Sequence, residues 1–383
     1  MSEDALSRRS APSERALAGL YAELATHSMR ALWTVMDSFI LPEPHSPALP
    51  ALWSYAQLRA LLLRAGELIS AAEAERRVLI LENPGLRRSS LVTRTLYCGL
   101  QLINPGEIAA SHRHTQNALR FVLEGSGAHT VVDGEQVTME PFDLVLTPDM
   151  TWHDHANPTD RHMIWLDGLD LGLVQSLDGA FSQRLQTAPA EPAPRLASAS
   201  RRRWEQSMRS IGRPIPWAQP CHSMNWPAPA PPQFARARTL HYPYAKWRDA
   251  LEHMRKLGEG DPHYGFKFEF VDPQDGAAVL QTISIFAQLI PAGMKTISCK
   301  STDGTVYTVV DGSGCAWIAD TRFELTPRSI LIAPAWSALR FEASSDLVLF
   351  SYSDRVAQQA LGLWRERSSR HETLQPAVGP EER

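Results

Sequence analysis

Gly106-Glu-Ile-Ala-Ala-Ser-His-Arg-His114, followed closely by Arg120-Phe-Val-Leu-Glu-Gly-Ser-Gly127, is the stretch that decides the fold. Short apolar runs such as this one, Thr95-Leu-Tyr97 and Leu144-Val-Leu146 alternate with Gly, Pro, Asp and Asn. Closely spaced runs of that kind predict an all-β sandwich or barrel. The glycine turn then returns: Glu124-Gly-Ser-Gly127 matches Asp311-Gly-Ser-Gly314, Gly106 falls over Gly293, and Pro148 lies within one residue of Pro334. The more obvious match, Thr-Val-Val-Asp-Gly at 130–134 and 308–312, is set aside because it does not align turn glycines across a whole domain. Two copies of one β-domain are expected.

Outward from the repeat, the first third reads as helical. Leu17, Leu20, Tyr21 and Leu24 form one apolar stripe behind a cap at Ser13. Leu58, Leu61, Leu62 and Ala65 form a second stripe starting near Ser54, and Ser70 with Glu73 has the spacing of a capping box. Helices of this kind bury against a sheet or a partner subunit. The expected organisation is an N-terminal helical region over 1–90, a β-domain over 91–185, a Pro-rich linker with short helices over 186–265, a second β-domain over 266–360 and a tail over 361–383. Within the linker, Pro227, Pro229, Pro231 and Pro232 point to an extended arm, and a short helix is expected around Ala245–Leu257.

The 383 residues allow two domains of ordinary size, and 44% apolar with 21% charged residues is the composition of a globular protein. A net charge of −4 gives no reason to expect nucleic acid or an anionic membrane as partner. Cys98, Cys221, Cys299 and Cys315 are far apart, which suits free thiols in a reducing compartment. The acidic N-terminus lacks the apolar stretch of a signal peptide, and no window approaches the roughly 20 apolar residues of a membrane span. A cytoplasmic location is expected by elimination.

His112 and His114 alternate on a strand and so share a face. His153, followed by Asn157, comes about forty residues later, on what is expected to be a neighbouring strand. Three imidazoles closing on one point suit iron, copper, zinc or nickel. An isolated His-x-His is more often surface or structural than a ligand pair, but its surroundings here resemble the two cupin motifs: Gly106, His112, His114, Gly125 or Gly127, Pro148, His153 and Asn157 are spaced as in that superfamily. Two double-stranded β-helix (cupin) domains behind an N-terminal helical segment are therefore expected, mainly β overall. Phe142 and Met150 stand where cupins usually have glycines, so those turns are expected to be built differently. The glutamate that commonly follows the second histidine is replaced by Asn117-Ala-Leu119. With neutral ligands alone, a divalent ion keeps its double charge and three open positions, which suits a chelating substrate dianion and dioxygen.

Longer segments resemble the gentisate 1,2-dioxygenase family, with salicylate and 1-hydroxy-2-naphthoate dioxygenases as relatives. They are Glu75-Arg-Arg77 running into Glu82-Asn-Pro-Gly-Leu86, Ser111–Arg120, Thr151-Trp-His-Asp-His155, Ile164–Asp170 and Ala360-Leu-Gly-Leu-Trp364. The resemblance implies one Fe(II) per chain on His112, His114 and His153, and insertion of O2 between the carboxyl-bearing and adjacent hydroxyl-bearing carbons of gentisate to give maleylpyruvate. It implies Arg120 as the clamp on the substrate carboxylate, expected on the same strand face as His114, with Arg76 as a second cation. Tyr97 and Gln101 become substrate contacts, and Tyr97, where salicylate-cleaving relatives tend to carry Trp, leans toward gentisate. His155 becomes the general acid/base, and Asp167 holds His155 or a substrate hydroxyl. A homotetramer is what the family suggests.

Blander roles stand beside each of these: a strand or subunit bridge for Arg120, an ion pair for Arg76, support of a metal ligand for His155 and a structural carboxylate for Asp167. His129 and His162 read as surface or strand histidines. In the second repeat Cys299-Lys-Ser301 replaces His-x-His and Leu339 falls at the third histidine, so no metal is expected there. Other readings are salicylate, a 5-substituted salicylate or 1-hydroxy-2-naphthoate as substrate, a zinc or nickel isomerase on the same fold, and a non-catalytic ligand-binding cupin.

Overall fold

The computed structural model describes residues 14–185 and 239–368, so the Ser13 cap, Cys221 and the proline cluster lie outside the described residues. The chain divides into two units, Met1–His45 and Ser46–Arg383. The first holds the helix Glu14–Thr26, on which no residue is buried, and short helical turns at Leu32–Thr34 and Met36–Phe39. Several of its large apolar residues are left in the open, with Trp33 at 66% and Phe39 at 71% exposure.

The second unit is built of four antiparallel sheets. A six-stranded sheet runs, in spatial order, 241–242, 144–147, 118–124, 163–169, 97–103 and 78–80. It faces a five-stranded sheet of 182–184, 108–114, 153–156, 129–132 and 135–138, and Val122, Val137, Met139, Val145, Met163 and Trp165 pack between strands of the two. The second pair repeats the plan with 51–53, 330–333, 305–311, 347–353, 284–290 and 266–269 against 321–325, 314–318, 339–343, 299–301 and 366–368. Tyr307, Val309, Ile318, Leu331, Phe341 and Leu349 fill that interior. The fold is mainly β, with two cupin barrels.

The outer faces of the two large sheets carry one shared apolar core. Phe121 of the first barrel stacks on Phe350 of the second, ring centroids 3.9 Å apart and planes 9° from parallel, and both are fully buried. The helix Tyr55–Leu68 adds Leu58 and Leu62 to this core, while Leu61 of the same expected stripe is half exposed. The helix Tyr244–Leu257 adds Trp247 and Leu251. Ser70 and Glu73 form the expected capping box.

The stretch 1–90 is less purely helical than its periodicity indicates, since it supplies the strands Ala51–Trp53 and Val78–Ile80. The first of these joins the far barrel: Leu52 pairs with Leu331. The favour is returned by His241–Tyr242, which lies between the barrels in sequence and pairs with Leu144 and Val145 of the first. Each barrel thus borrows the edge strand that precedes the other.

Phe142 and Met150 require a correction. Both adopt the left-handed backbone that glycine would supply, at φ 66° and 56°, and so do Arg328 and Trp336 in the second barrel, at 64° and 60°. The turns keep the glycine geometry, at a strain of about 1–3 kcal/mol per residue. Hydrogen bonds fix them: Met150 N donates to His114 O at 2.7 Å and Trp336 N to Ser301 O at 2.6 Å. Among the described residues, no helix is long and apolar enough to cross a membrane.

Candidate active site

His112 and His114 lie on Ile108–His114, whose alternation turns both rings inward, and His153 begins the neighbouring strand His153–Ala156. His112 and His153 are direct register partners. Their ring centroids are 4.2 Å apart, those of His114 and His153 4.9 Å, and those of His112 and His114 5.4 Å. One ligand atom from each lies within 4.8 Å of the others, the spacing expected of three donors around a single ion. Burial, with neighbouring cations, drives all three pKa values down, to about 3 for His112 and about 4 for His114, so the rings are neutral.

Hydrogen bonds decide which nitrogen is free. His114 Nδ1–H donates to Gln116 O at 2.9 Å and His153 Nδ1–H to Thr151 O at 3.0 Å, which leaves both Nε2 lone pairs for a ligand. The Nε2 of His153 is buried with no hydrogen-bond partner among the described residues. A buried, unpartnered lone pair beside two more neutral imidazoles fits a divalent metal. Arg76 complicates His112, because its Nη2 stands 2.5 Å from Nδ1 while also donating to Ala110 O at 2.6 Å. A guanidinium can only donate, so that contact places the imidazole proton on Nε2. When His112 serves a metal through Nε2, Arg76 must release Nδ1.

Asn117-Ala-Leu119, the stretch that replaces the glutamate, supplies no carboxylate. Asn117 is buried and turned away, its Nδ2 donating to Thr282 Oγ1 at 3.0 Å and its Oδ1 accepting from Asp149 N at 3.2 Å. Among the described residues the ligand-like group holds only the three histidines.

Arg120 reaches the barrel interior from a different strand than expected. A short turn at Thr115–Asn117 separates Ile108–His114 from Ala118–Glu124, which belongs to the facing sheet. Arg120 therefore stands across the barrel from the imidazoles. It is buried, its Nη1 donates to Thr147 Oγ1, and its Nε has no hydrogen-bond partner; Asp167, its register neighbour, approaches Nε only to 3.5 Å. Burial lowers the Arg120 pKa to about 10. Asp167 is also buried, and burial outweighs Arg120 and raises its carboxyl to about 6, with Trp165 Nε1 donating to Oδ1 at 3.0 Å. A loosely matched buried cation is what an incoming carboxylate would complete.

His155 is buried, with Nδ1 2.7 Å from Thr130 Oγ1 and Nε2 unpartnered. Trp165 packs against its ring at 5.3 Å, so one indole touches His155 and holds Asp167. Tyr97 and Gln101 lie on the strand Tyr97–Ile103, and Gln101 is the register partner of Trp165 and shares its inward face. Between them sits Gly99, where a Cβ would come within 2.6 Å of both Tyr97 Oη and Val78 Cγ1. Thr130, Thr147 and Trp165 escaped sequence reasoning. The only available signal was parity: Trp165 lies two residues before Asp167, and Thr130 is the register partner of His155.

His162 is engaged away from this region, 2.6 Å from Glu124. In the second barrel Cys299 pairs with Leu339 as His112 pairs with His153, and the ligand group does not recur among the described residues.

Comparison with known proteins agrees with this geometry. Residues 99–169 match the Cupin domain family. The chain is 43% identical to "Gentisate 1,2 dioxygenase 1" of Aquipseudomonas alcaligenes, over 90% of this chain and 94% of that protein. It is 30% identical to a 1-hydroxy-2-naphthoate 1,2-dioxygenase of Nocardioides sp. (strain KP7), over 89% and 85%. Among solved structures, the salicylate 1,2-dioxygenase of Pseudoaminobacter salicylatoxidans as a gentisate adduct superposes with a TM-score of 0.81 at 28% identity, covering 96% of this chain and 98% of that one.

Proposed function

The chain belongs to the family of gentisate 1,2-dioxygenases and is a ring-cleaving dioxygenase, and from that premise we propose that it is an Fe(II) enzyme acting on gentisate. The reading rests on one observation: three neutral imidazoles with no carboxylate among them, facing a buried arginine whose Nε makes no hydrogen bond among the described residues. When bound, the iron would supply Lewis acidity and a path for electrons between an aromatic hydroxy-acid and O2.

The chain's own residues supply the remainder. Arg120 receives the substrate carboxylate in a planar two-point contact and so fixes which ring carbons lie next to the metal. Arg76, once off His112, adds a second positive charge. Tyr97 and Gln101 line the ring's side of the cavity. His155 is held by Thr130 and Trp165 so that Nε2 faces inward, where it takes and returns a proton at a ring hydroxyl. Asp167, turned by Trp165, keeps Arg120 oriented. Burial of Arg120, His153, His155 and Asp167 keeps water from the inner end of a site that handles reactive oxygen.

The test is oxygen uptake by the Fe(II)-loaded protein with gentisate, salicylate and 1-hydroxy-2-naphthoate side by side. Gentisate is expected to give the highest kcat/KM, with uptake abolished by chelation and restored by Fe(II). Equal turnover with zinc would refute iron as the metal. A homo-oligomer, a tetramer on family grounds, is proposed with it. The exposed Trp33, Phe39 and Ile40 of the N-terminal unit support it, because apolar groups of that size seek cover. Sedimentation of the full chain against one lacking residues 1–45 checks this, with a smaller assembly expected for the truncated form.

A further inference from the structure

Among the described residues the second barrel has no three-histidine group, but it keeps a polar cavity. Register places Cys299 and Leu339 where the first barrel has His112 and His153, and Tyr307, paired with Ser351, where it has Arg120, paired with Asp167. At this end of the barrel Cys299, Ser301, Tyr307, Lys267 and Arg355 enclose a cavity of about 30 Å³. Tyr264, Lys267 and Arg355 also line an adjoining cleft of about 620 Å³.

Two cations meet there, and one of them, Arg355, is paired with an acid, Asp303. Lys267 lies on the edge strand Phe266–Glu269, on the inward face shared with its register partner Gln288. Its ammonium sits 4.3 Å from the ring centroid of Phe286 and 4.7 Å from that of Tyr264, and it forms neither a salt bridge nor a hydrogen bond among the described residues. Arg355 stands over the same Phe286 at 5.1 Å and over Trp364 at 4.8 Å. Among the described residues its one ion pair is the 3.3 Å contact from Nε to Asp303, and neither Nη makes a hydrogen bond. Burial and the neighbouring Arg355 lower the Lys267 pKa to about 8.

The acids nearby are already engaged or lie farther out. Asp303 also accepts from Trp364 Nε1 at 2.8 Å, and Glu366 accepts from Tyr264 Oη and from Cys299 Sγ. Asp261 caps the backbone N–H groups of His263 and Tyr264. Glu259 and Glu269 line the outer cleft but not the inner cavity. Asp303 also lines the inner cavity, so Lys267 and Arg355 leave one net positive charge there behind a negative outer lining, which suits one anionic group and disfavours phosphate-rich ligands.

We propose that the second barrel is a binding site for a small monocarboxylate with an apolar body, its carboxylate between Lys267 and Arg355 and its body along Met254 and Leu257. Planar guanidinium Nη groups and a free ammonium are the donors a carboxylate needs, and the aromatic rings beneath them hold both cations in place. The site is separate from the ring-cleaving site, so it stands or falls independently of the substrate and metal proposed above.

The probe is benzoate, applied to the Fe(II)-loaded enzyme in carboxylate-free buffer. Equilibrium dialysis is expected to find two benzoates per chain in the unmodified enzyme, one remaining after Arg120→Ala and one after Lys267→Met. A single benzoate that survives Lys267→Met overturns the proposal, as does loss of all binding in Arg120→Ala. Reductive methylation with formaldehyde reads the same site without a variant at Lys267. At a benzoate concentration giving about 90% occupancy, Lys267 is expected to methylate roughly tenfold more slowly, with exposed Lys295 unchanged. Equal rates at Lys267 with and without benzoate would refute it, and loss of this protection in Arg355→Met would support the assigned carboxylate position.

Discussion

Thr130 Oγ1 stands 2.7 Å from His155 Nδ1, and both groups are fully enclosed. The same hydroxyl donates to Met139 Sδ at 3.6 Å, so its oxygen is left to accept from Nδ1–H. That arrangement fixes the His155 tautomer and gives Nε2 a lone pair facing the cavity.

Thr130→Val keeps the shape and removes the acceptor. It is expected to lower kcat by roughly 10- to 100-fold, the scale of an orienting hydrogen bond to a working histidine, with KM and iron content close to those of the parent. Thr130→Ser should recover most of the loss. Steady-state oxygen uptake with metal analysis is the check, and an unchanged kcat in the valine variant would remove Thr130 from the catalytic account.

Arg120→Ala deletes a buried charge with a partly unmet donor set, leaving Asp167 without its cation. The expected loss in kcat/KM corresponds to about 2–5 kcal/mol, with iron content retained because, among the described residues, Arg120 bonds to Thr147 and Asp167 and not to an imidazole. Iron analysis of the purified variant is decisive: loss of metal would show that Arg120 braces the ligands and does not receive substrate.

Phe350→Ala tests the union of the barrels. The ring is fully buried and stacked on Phe121, so a cost of about 3–5 kcal/mol is expected, seen as a shift in the denaturation midpoint. Because the two barrels share this core, they should lose structure together. A biphasic transition with an unshifted first phase would contradict that.

Acid stability should depend on Glu124. Burial pushes this carboxyl up, but hydrogen bonds from Arg59, His162 and Tyr55 outweigh it and hold the pKa at about 2. A folded-state value below the unfolded one stabilises the protein at pH above about 4.5, and this stabilisation is lost as pH falls toward 2. Glu124→Gln should therefore lower the unfolding midpoint at pH 7 and leave it nearly unchanged at the acid end of that window, as thermal scans across pH would show.

Much of the site was legible because metal ligation leaves a rigid spacing. His112 and His114 must alternate, and the third ligand must fall on a strand beside them. The placement of Arg120 failed because three residues, Thr115–Asn117, turn the chain into the opposite sheet, and alternation counts straight through so short a turn. Phe142 and Met150 were misread for a different reason: a left-handed backbone held by hydrogen bonds from its surroundings leaves no mark on residue type. Thr130 and Trp165 are ordinary strand residues whose importance comes only from what lies opposite. The pairing of Leu52 with Leu331 had no local signal at all, since strand partners so distant in sequence share no pattern that a window detects.

Those borrowed edges carry a consequence for how the molecule can be taken apart. A gene fragment ending before His241 would code for every proposed iron ligand yet leave the strand Leu144–Thr147 with an open flank, and a fragment beginning after Trp53 would do the same to Ile330–Ala333. Neither half can be cut out and keep a closed sheet. Loss of the catalytic centre by gene truncation, and any attempt to graft that centre onto another scaffold, must therefore reckon with both halves at once.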